Sequence, residues 1–414
     1  MRIIIWVHKY EPSSGVGSRR WRKFARYLSL LGHKIWIVAP PEKGKFKSED
    51  LSTGSNSLNV IKIGSKLKYY NLFLSQYSKY YERLVAKTSH IFFENIKGFF
   101  DHAEAWAMYT APKIKKLIKE LKIEALIVSG HPCSLNYWAS ILKSDLPNLK
   151  LIQDFRDTWN DEVNYSIERF SKSLKCKERS VIAEKIAIQH ADLVLNISED
   201  QSNRMKSNNK KTEKKFKIIT NGYDPEDYKI FNNLKLSKTF TLIHAGTIRW
   251  HAIEGLKKLF LAMREMEEEL IEKKFMINFY GTKLNFEEIN DFRRIIEKFC
   301  RFHNFLKTES ILEKISGATA GLIIFDKETG YGTKIFDYIG QSKPFFAICP
   351  PGELQKFCKK NNMPTASFNS ESIRNALLEL LKIEKLQYDI GKKNFESFSI
   401  PNITLELNQM ISNI

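Results

Sequence analysis

Residues 2–40, RIIIWVHKYEPSSGVGSRRWRKFARYLSLLGHKIWIVAP, decide the fold. The opening run RIIIWV is β-branched and aromatic without alternation, which is the pattern of a parallel strand covered on both faces. Turn-forming residues follow. Then Trp21, Phe24, Leu28 and Leu31 recur at helical spacing until Gly32 stops the helix, and KIWIVAP resumes as a strand. Strand, loop, helix and strand make a βαβ unit whose first loop lies where open α/β sheets bind ligands. That loop carries Gly15, Gly17 and Ser18 just before Arg19 and Arg20, the outline of a dinucleotide loop. The second strand ends in Ala39 and Pro40, however, and lacks the acid that holds an adenosine ribose. The loop therefore argues against a nicotinamide dehydrogenase and leaves an anion or acceptor loop open.

The same logic continues along the chain. Strands are expected over 122–130, 148–155, 191–198 and 215–224, with a helix over 177–190. Residues 41–60 read as surface loop, and 66–113, dense in aromatic and charged residues, as amphipathic helix. The sheet pattern restarts at FTLIHAG, 240–246, and runs through strands at 274–281, 300–306, 319–325 and 343–349 with helices between them. Two α/β blocks thus meet around 225–238, a division expected of a 414-residue chain. Residues 393–414 read as a closing helix.

Lysine and arginine exceed the acids to give a formal charge of +19, which favours anionic partners: nucleotides, nucleic acid or an acidic membrane face. The segment RMKSNNKKTEKKFK, 204–217, concentrates seven basic residues against one acid and reads as an exposed helix end and loop. Five cysteines without paired spacing point to a reducing compartment, and no stretch has the length and apolarity of a signal peptide or membrane span. The location expected is cytoplasmic, with room for peripheral attachment to the inner face of a membrane. No zinc pattern, HExxH, EF-hand, Walker loop or G-x-S-x-G elbow occurs, so no metal or cofactor is expected.

Chemistry concentrates at strand ends. In ETGYGTKIFDYIGQSKPFFAI, 328–348, Gly330 and Gly332 allow a close backbone approach, Thr333 is placed to cap a helix, and Lys334 adds positive charge. Asp337 follows one turn later, where a carboxylate accepts hydrogen bonds from vicinal sugar hydroxyls. Phosphate at the helix start with a pentose on the acid is one reading; a structural loop and helix is the other. HAGTIRWHAIEGL, 244–256, repeats the form, with Gly246 and Thr247 ending a strand and Arg249 placed to clamp a diphosphate. Glu254 has a local alternative, pairing with Lys257 or Lys258. In SGHPCS, 129–134, His131 stands after a strand. In DFRDTWND, 154–161, Asp154, Arg156 and Asp157 are expected to form a loop-supporting network under Trp159 as an apolar lid.

Taken in order, YEPSSGVGSRRWRKFARYLSLLGHKIWIVAP, DFRDTW, HADLVLNISEDQS, IITNGYD, LIHAGTIR and TKIFDYIGQSKPFFAI resemble the retaining GT-B glycosyltransferases of the family-4-like group, which includes lipopolysaccharide and capsule transferases. The resemblance implies two Rossmann-like parallel-sheet domains facing across a cleft: an acceptor domain over 1–225, a nucleotide-sugar domain over 239–392 and a crossover helix over 393–414. It implies a UDP- or GDP-sugar donor, a saccharide or lipid-linked acceptor, and transfer with retention and without metal. His131, Arg249 and Lys334 would be catalytic; Gly246, Thr247, Gly332, Thr333 and Asp337 would bind donor; Gly15, Gly17 and Ser18 would line the acceptor side. Asp337 matches the second acid of the family's paired-glutamate motif, whereas the first falls at Thr329, and the family's lysine falls at Glu254. Two other classes fit the charge: a non-catalytic nucleotide-sugar-binding protein, and a nucleic-acid-binding protein, for which no recognition unit is found.

Overall fold

The computed structural model describes residues 1–11, 16–41, 50–53, 57–64, 98–160, 174–231, 239–248, 252–282, 284, 286–328, 330–382 and 395–414. The chain divides into two compact units, Met1–Thr220 with Thr404–Ile414, and Asn221–Ile403.

The first unit is built on an eight-stranded sheet. In chain order its strands are β1 (Arg2–Val7), β2 (Lys34–Ala39), β3 (Asp50–Thr53), β4 (Leu58–Lys62), β5 (Ala125–Gly130), β6 (Lys150–Phe155), β7 (Leu193–Asn196) and β8 (Phe216–Ile218). Their spatial order is β3-β4-β2-β1-β5-β6-β7-β8. β1 pairs in parallel with β2 on one side and β5 on the other, Ile4 facing Trp36 and Leu126. Ile3, Ile4 and Ile5 are all buried, as their unbroken apolar run requires. The helices Val16–Leu30, Glu104–Glu120, Ser134–Asp145 and Leu174–His190 cover the sheet faces.

Residues 41–60 are not all loop. β4 adds a parallel strand beside β2, and β3 turns back antiparallel on its outer edge, Leu51 opposite Ile61. The expectation failed because an edge strand needs no continuous apolar run; half of its backbone pairing and one flank face water. Of the amphipathic segment expected over 66–113, residues 65–97 lie outside the described residues, and Glu104–Glu120 is helical.

The second unit carries a six-stranded sheet, wholly parallel: β9 (Thr241–Ala245), β10 (Met276–Tyr280), β11 (Cys300–His303), β12 (Ala320–Ile324), β13 (Phe345–Ile348) and β14 (Thr365–Ala366), ordered β11-β10-β9-β12-β13-β14. One face packs Leu256, Leu259, Phe260 and Met263 of the helix Ile253–Glu265 against Leu242, Ile277 and Leu322. The other packs Ile335, Tyr338 and Ile339 of the helix Lys334–Gly340 against Ile243, Ile323 and Phe345. The helix Ser370–Leu381, not anticipated from the sequence, contributes Ile373, Leu377 and Leu380 to the first of these cores. Its start is fixed by Asn369, whose side chain accepts from the Ser372 amide at 3.0 Å. The C-terminal helix is Ile400–Ser412, and within the first unit Asn408 bonds the His33 ring at 2.7 Å.

The polar centre of the first unit is Asp154, fully buried at the carboxyl end of β6. One carboxylate oxygen takes Arg20 at 3.1 Å; the other takes the Trp21 indole at 2.7 Å and the Ser129 hydroxyl at 2.9 Å. Arg20 also donates to the carbonyls of Ile219 at 2.8 Å and Thr220 at 2.7 Å, so one guanidinium ties the helix Val16–Leu30, β6 and the end of the unit. Arg20→Met is expected to cost about 3–5 kcal/mol because it strands a buried charge. Adding Asp154→Asn is expected to restore part of that loss. Urea unfolding of the two single variants and the double measures the coupling, and additive losses would contradict it.

Candidate functional site

In the second unit the strand order reverses direction at β9, whose neighbours are β10 and β12. The carboxyl ends of β9 and β12 therefore frame the crevice in which doubly wound sheets take ligands. β9 ends in Ala245, Gly246 and Thr247; β12 is followed by the loop leading to Gly332, Thr333 and the helix Lys334–Gly340.

That helix is fixed tightly. The buried Tyr338 hydroxyl donates to the carbonyl of Ile243 at 2.9 Å, and Gly321 has no room for a side chain, since a Cβ there would stand 2.6 Å from the Tyr338 ring. With Tyr338 locked, Lys334 one turn earlier is carried over Gly246. A Cβ on Gly246 would press on Lys334 Cε at 3.1 Å, and the residue has a φ of +104°, a backbone conformation that favours glycine.

The Lys334 ammonium lies 3.3 Å from Nε2 of His244. His244 is fully buried within β9 and its Nδ1 bonds the Leu322 carbonyl at 3.1 Å, which makes Nδ1 the protonated nitrogen and leaves Nε2 to accept from the lysine. Burial, reinforced by the Lys334 charge, pushes the imidazole down to about 3. A neutral histidine thus orients the ammonium.

Asp337 stands one turn beyond Lys334, half-buried rather than turned into the apolar interior, and accepts from the Tyr228 hydroxyl at 3.1 Å. Tyr228 in turn lies against Gly340, where a Cβ would come within 2.4 Å of its ring. The carboxylate is thereby aimed by a residue more than 100 positions away in sequence, |i−j| = 109.

Other expected donor-side residues are placed as follows. Thr247 is exposed just past β9, and Gly332 takes a φ of +68° beside Phe325. Thr333 does not cap the helix with its side chain: its backbone is already helical at φ −97° and ψ −17°, and the hydroxyl makes no capping bond. The positive-φ turn at Gly332 delivers the chain directly into helical geometry, which removes the need for the fold-back. The amide of Gly330 is taken by the Glu353 carboxylate, and the Glu353 amide donates to Glu328 at 2.8 Å. Glu353 consequently holds the loop, a role that the sequence did not reveal. Glu254 pairs with Lys258 across one helical turn at 3.4 Å. Arg249 and Thr329 lie outside the described residues.

In the first unit the corresponding crevice lies between the ends of β1 and β5. His131 stands there, half-buried, with Nδ1 3.3 Å from the Cys133 sulfur. Arg156 donates to the carbonyls of Gly130 and, at 2.9 Å, of His131. Of the expected Asp154–Arg156–Asp157 network, both carboxylates act on the charge of Arg156, and the hydrogen bonds are divided between two places. Asp154 belongs to the sheet and takes Arg20, whereas Arg156 lies beyond the last sheet residue, Phe155, and braces the histidine loop. Burial pulls the Arg156 pKa down, while Asp154 and, to a smaller extent, the exposed Asp157 favour its charge. Trp159 is no lid: it is buried against Phe100 and Phe155, and its indole donates to Ser180 at 2.9 Å.

Ser18 is buried in the first turn of the helix Val16–Leu30, which includes Gly17; Gly15 lies outside the described residues. Sequence reading passed over His8, which directly follows β1. Its ring meets His102 at 5.1 Å and Trp106 at 5.5 Å, and burial, with His102 adding repulsion, holds its pKa well below the usual value. Among the described residues no cluster of histidine, cysteine or carboxylate side chains has the makings of a metal site.

The sequence matches no protein-family model and no curated protein. The fold does have relatives among solved structures. An Escherichia coli trehalose-6-phosphate protein bound with UDP-2-fluoroglucose aligns at a TM-score of 0.67 and 10% identity, covering 100% of this chain and 99% of that one. A glycosyltransferase from Rickettsia africae aligns at 0.60 and 14% identity over 99% and 98% of the two chains. The catalytic domain of starch synthase IV from Arabidopsis thaliana, bound to ADP and acarbose, aligns at 0.64 and 11% over 99% and 98%. This chain therefore has the GT-B fold, two Rossmann-like units in one polypeptide.

The depressed pKa of His244 predicts a pH dependence of stability. Unfolded, the imidazole protonates near 6.5; folded, near 3, so the unfolded chain binds more protons between those values. Its contribution is complete above pH 6.5 and is lost as pH falls toward 3, at about 1.4 kcal/mol per unit. Urea titrations from pH 7 to 4 should show a shallower decline for His244→Gln than for the parent protein.

Proposed function

We propose that this protein is a glycosyltransferase that moves a sugar from a nucleoside-diphosphate sugar to a saccharide or lipid-linked saccharide, with retention, in the manner of family-4-like GT-B enzymes. The observation that carries the reading is the Lys334 ammonium, seated by neutral His244 over Gly246 at the switch point, with Asp337 one turn beyond it. An ammonium carries a charge and donor groups suited to a diphosphate. A carboxylate at that spacing accepts the paired hydroxyls of a ribose.

In this reading the donor lies along Gly246, Thr247, Gly332 and Thr333, with UDP or GDP as its nucleotide part. Lys334 and Arg249 stabilise the charge that develops on the departing diphosphate, which is where preorganised cations act most strongly. His131, braced by Arg156, faces the transferred sugar, and the segment Gly15, Gly17 and Ser18 serves the acceptor. The proteins of this fold solved with UDP-2-fluoroglucose and with ADP and acarbose support a nucleotide-sugar donor. The net charge of +19 supports an acceptor held at an anionic membrane surface, the setting of lipopolysaccharide or capsule assembly on the cytoplasmic side. No helix among the described residues is long and apolar enough to cross a membrane.

The test is direct titration of UDP, GDP and their sugar conjugates, followed by calorimetry or thermal shift, together with release of the nucleoside diphosphate. One nucleotide is expected to stabilise the protein. Lys334→Ala is expected to weaken it by roughly ten- to a hundredfold, the loss of a charge-assisted hydrogen bond. Asp337→Asn should weaken the nucleoside diphosphate but leave inorganic pyrophosphate unaffected. Binding without any turnover across a panel of acceptors would turn the reading toward a sensor, and no binding of any nucleotide would end it.

A further inference from the structure

The helix Leu174–His190 has two faces. Cys176, Ser180, Ala183, Ala187 and Ile188 point inward and are buried. The opposite face is also apolar in part: Leu174, Val181 and Ile182 are 70%, 42% and 57% exposed. At 100° per residue they fall within one outward sector with Lys185, flanked by Lys175 and Lys177 and interrupted by a single acid, Glu178. An aliphatic pair held in water on a helix whose inner face is already satisfied contributes nothing to the fold of the unit.

The basic stretch singled out in the sequence lies at the end of this same helix. The short turn of helix Lys210–Lys215 has no buried residue, and Lys215 donates to the carbonyl of Gln189 at 2.7 Å, which docks the turn onto the last turn of Leu174–His190. Lys210, Lys211, Lys214 and Lys217 are exposed around it. Burial lowers the Lys215 pKa, the Asp192 carboxylate offsets part of that, and Lys143 adds to the lowering. The surface thus combines aliphatic side chains with a crowd of lysines.

We propose that this surface, the outer face of Leu174–His190 continued by Lys210–Lys217, lies on an anionic lipid bilayer, with Val181 and Ile182 entering the headgroup boundary and the lysines meeting the lipid charge. Aliphatic residues within a cationic rim match an interfacial surface. A single-stranded nucleic-acid surface adds aromatic or planar stacking groups, whereas the exposed apolar residues here are aliphatic and serve no phosphate contact. The proposal gives a location to the membrane-bound part of the functional reading and rests on that part alone.

The experiment is co-sedimentation of the full chain with vesicles of phosphatidylcholine, pure or mixed with phosphatidylglycerol, with a mixed-sequence oligonucleotide as a second polyanion. Binding is expected only to the anionic vesicles and is expected to weaken with salt. Each lysine removed should lower partitioning about fivefold, so Lys210→Glu, Lys211→Glu and Lys214→Glu together should lower it by about a hundredfold or more. Val181→Ser with Ile182→Ser should weaken vesicle binding while leaving oligonucleotide binding unchanged, and neither variant should alter thermal unfolding. Nucleotide titration of the same variants should be unaffected, which separates failure of this surface from failure of the transferase reading. Equal binding to neutral vesicles, or an oligonucleotide that responds to the serine pair as lipid does, would overturn the proposal. So would a self-association lost in the serine pair in a protein that ignores vesicles.

Discussion

Parallel strands buried on both faces make a polar group without a partner costly, and that constraint shapes both units of this protein. The polar side chains that position the strand ends are bonded from several sides, although the Trp6 indole N–H of β1 and the Asn196 amide oxygen of β7 are buried without a partner among the described residues. Asp154 receives a guanidinium, an indole and a hydroxyl. Gln153, its neighbour in β6, donates at 3.0 Å both to the Asn136 carbonyl and to the Ser140 hydroxyl. His244 spends its protonated nitrogen on Leu322 and its other nitrogen on Lys334. Each of these bonds offsets a desolvation penalty that the folded state would otherwise carry. These side chains therefore rigidify the strand ends from which the loops depart.

The same constraint explains what could be read from the chain. Unbroken apolar runs such as those of β1, β5 and β12 announce parallel strands, and helical spacing between them gives the crossovers; the order of the two blocks follows. β3 escaped because an edge strand has no such run, and β4 because only Ile61 of its five residues is buried. The helix Ser370–Leu381 escaped although Ile373, Leu377 and Leu380 carry its period and Asn369 its cap. That signal was present and was overlooked beside the short strand preceding it.

The site was legible in its elements and not in its wiring. Glycines and charges at strand ends mark Gly246, Lys334 and Asp337, since local sequence determines where a strand stops. The residues that aim them are distant: Tyr228 reaches Asp337 and His244 reaches Lys334 across separations of 109 and 90 positions. Arg20 finds Asp154 across 134. Arg156, two residues from Asp154, feels its charge but spends its hydrogen bonds on Gly130 and His131, because the chain leaves the sheet between them. Proximity in sequence predicts pairing along a helix far better than across the end of a strand.

The choice of histidine beneath Lys334 has an electrostatic consequence. A carboxylate in that place would hold the ammonium more strongly but would cancel its charge, as Glu254 does in part for Lys258 on the protein surface. A neutral imidazole orients the ammonium through one hydrogen bond and subtracts nothing from the field presented to an anion. Burial keeps the imidazole neutral, and the lysine charge itself reinforces that state. The arrangement is self-consistent: the cation suppresses protonation of its own support, and the support, remaining neutral, does not itself cancel the charge. Gly246 adds to the arrangement, because a side chain there would press on the end of Lys334 and its φ of +104° favours glycine.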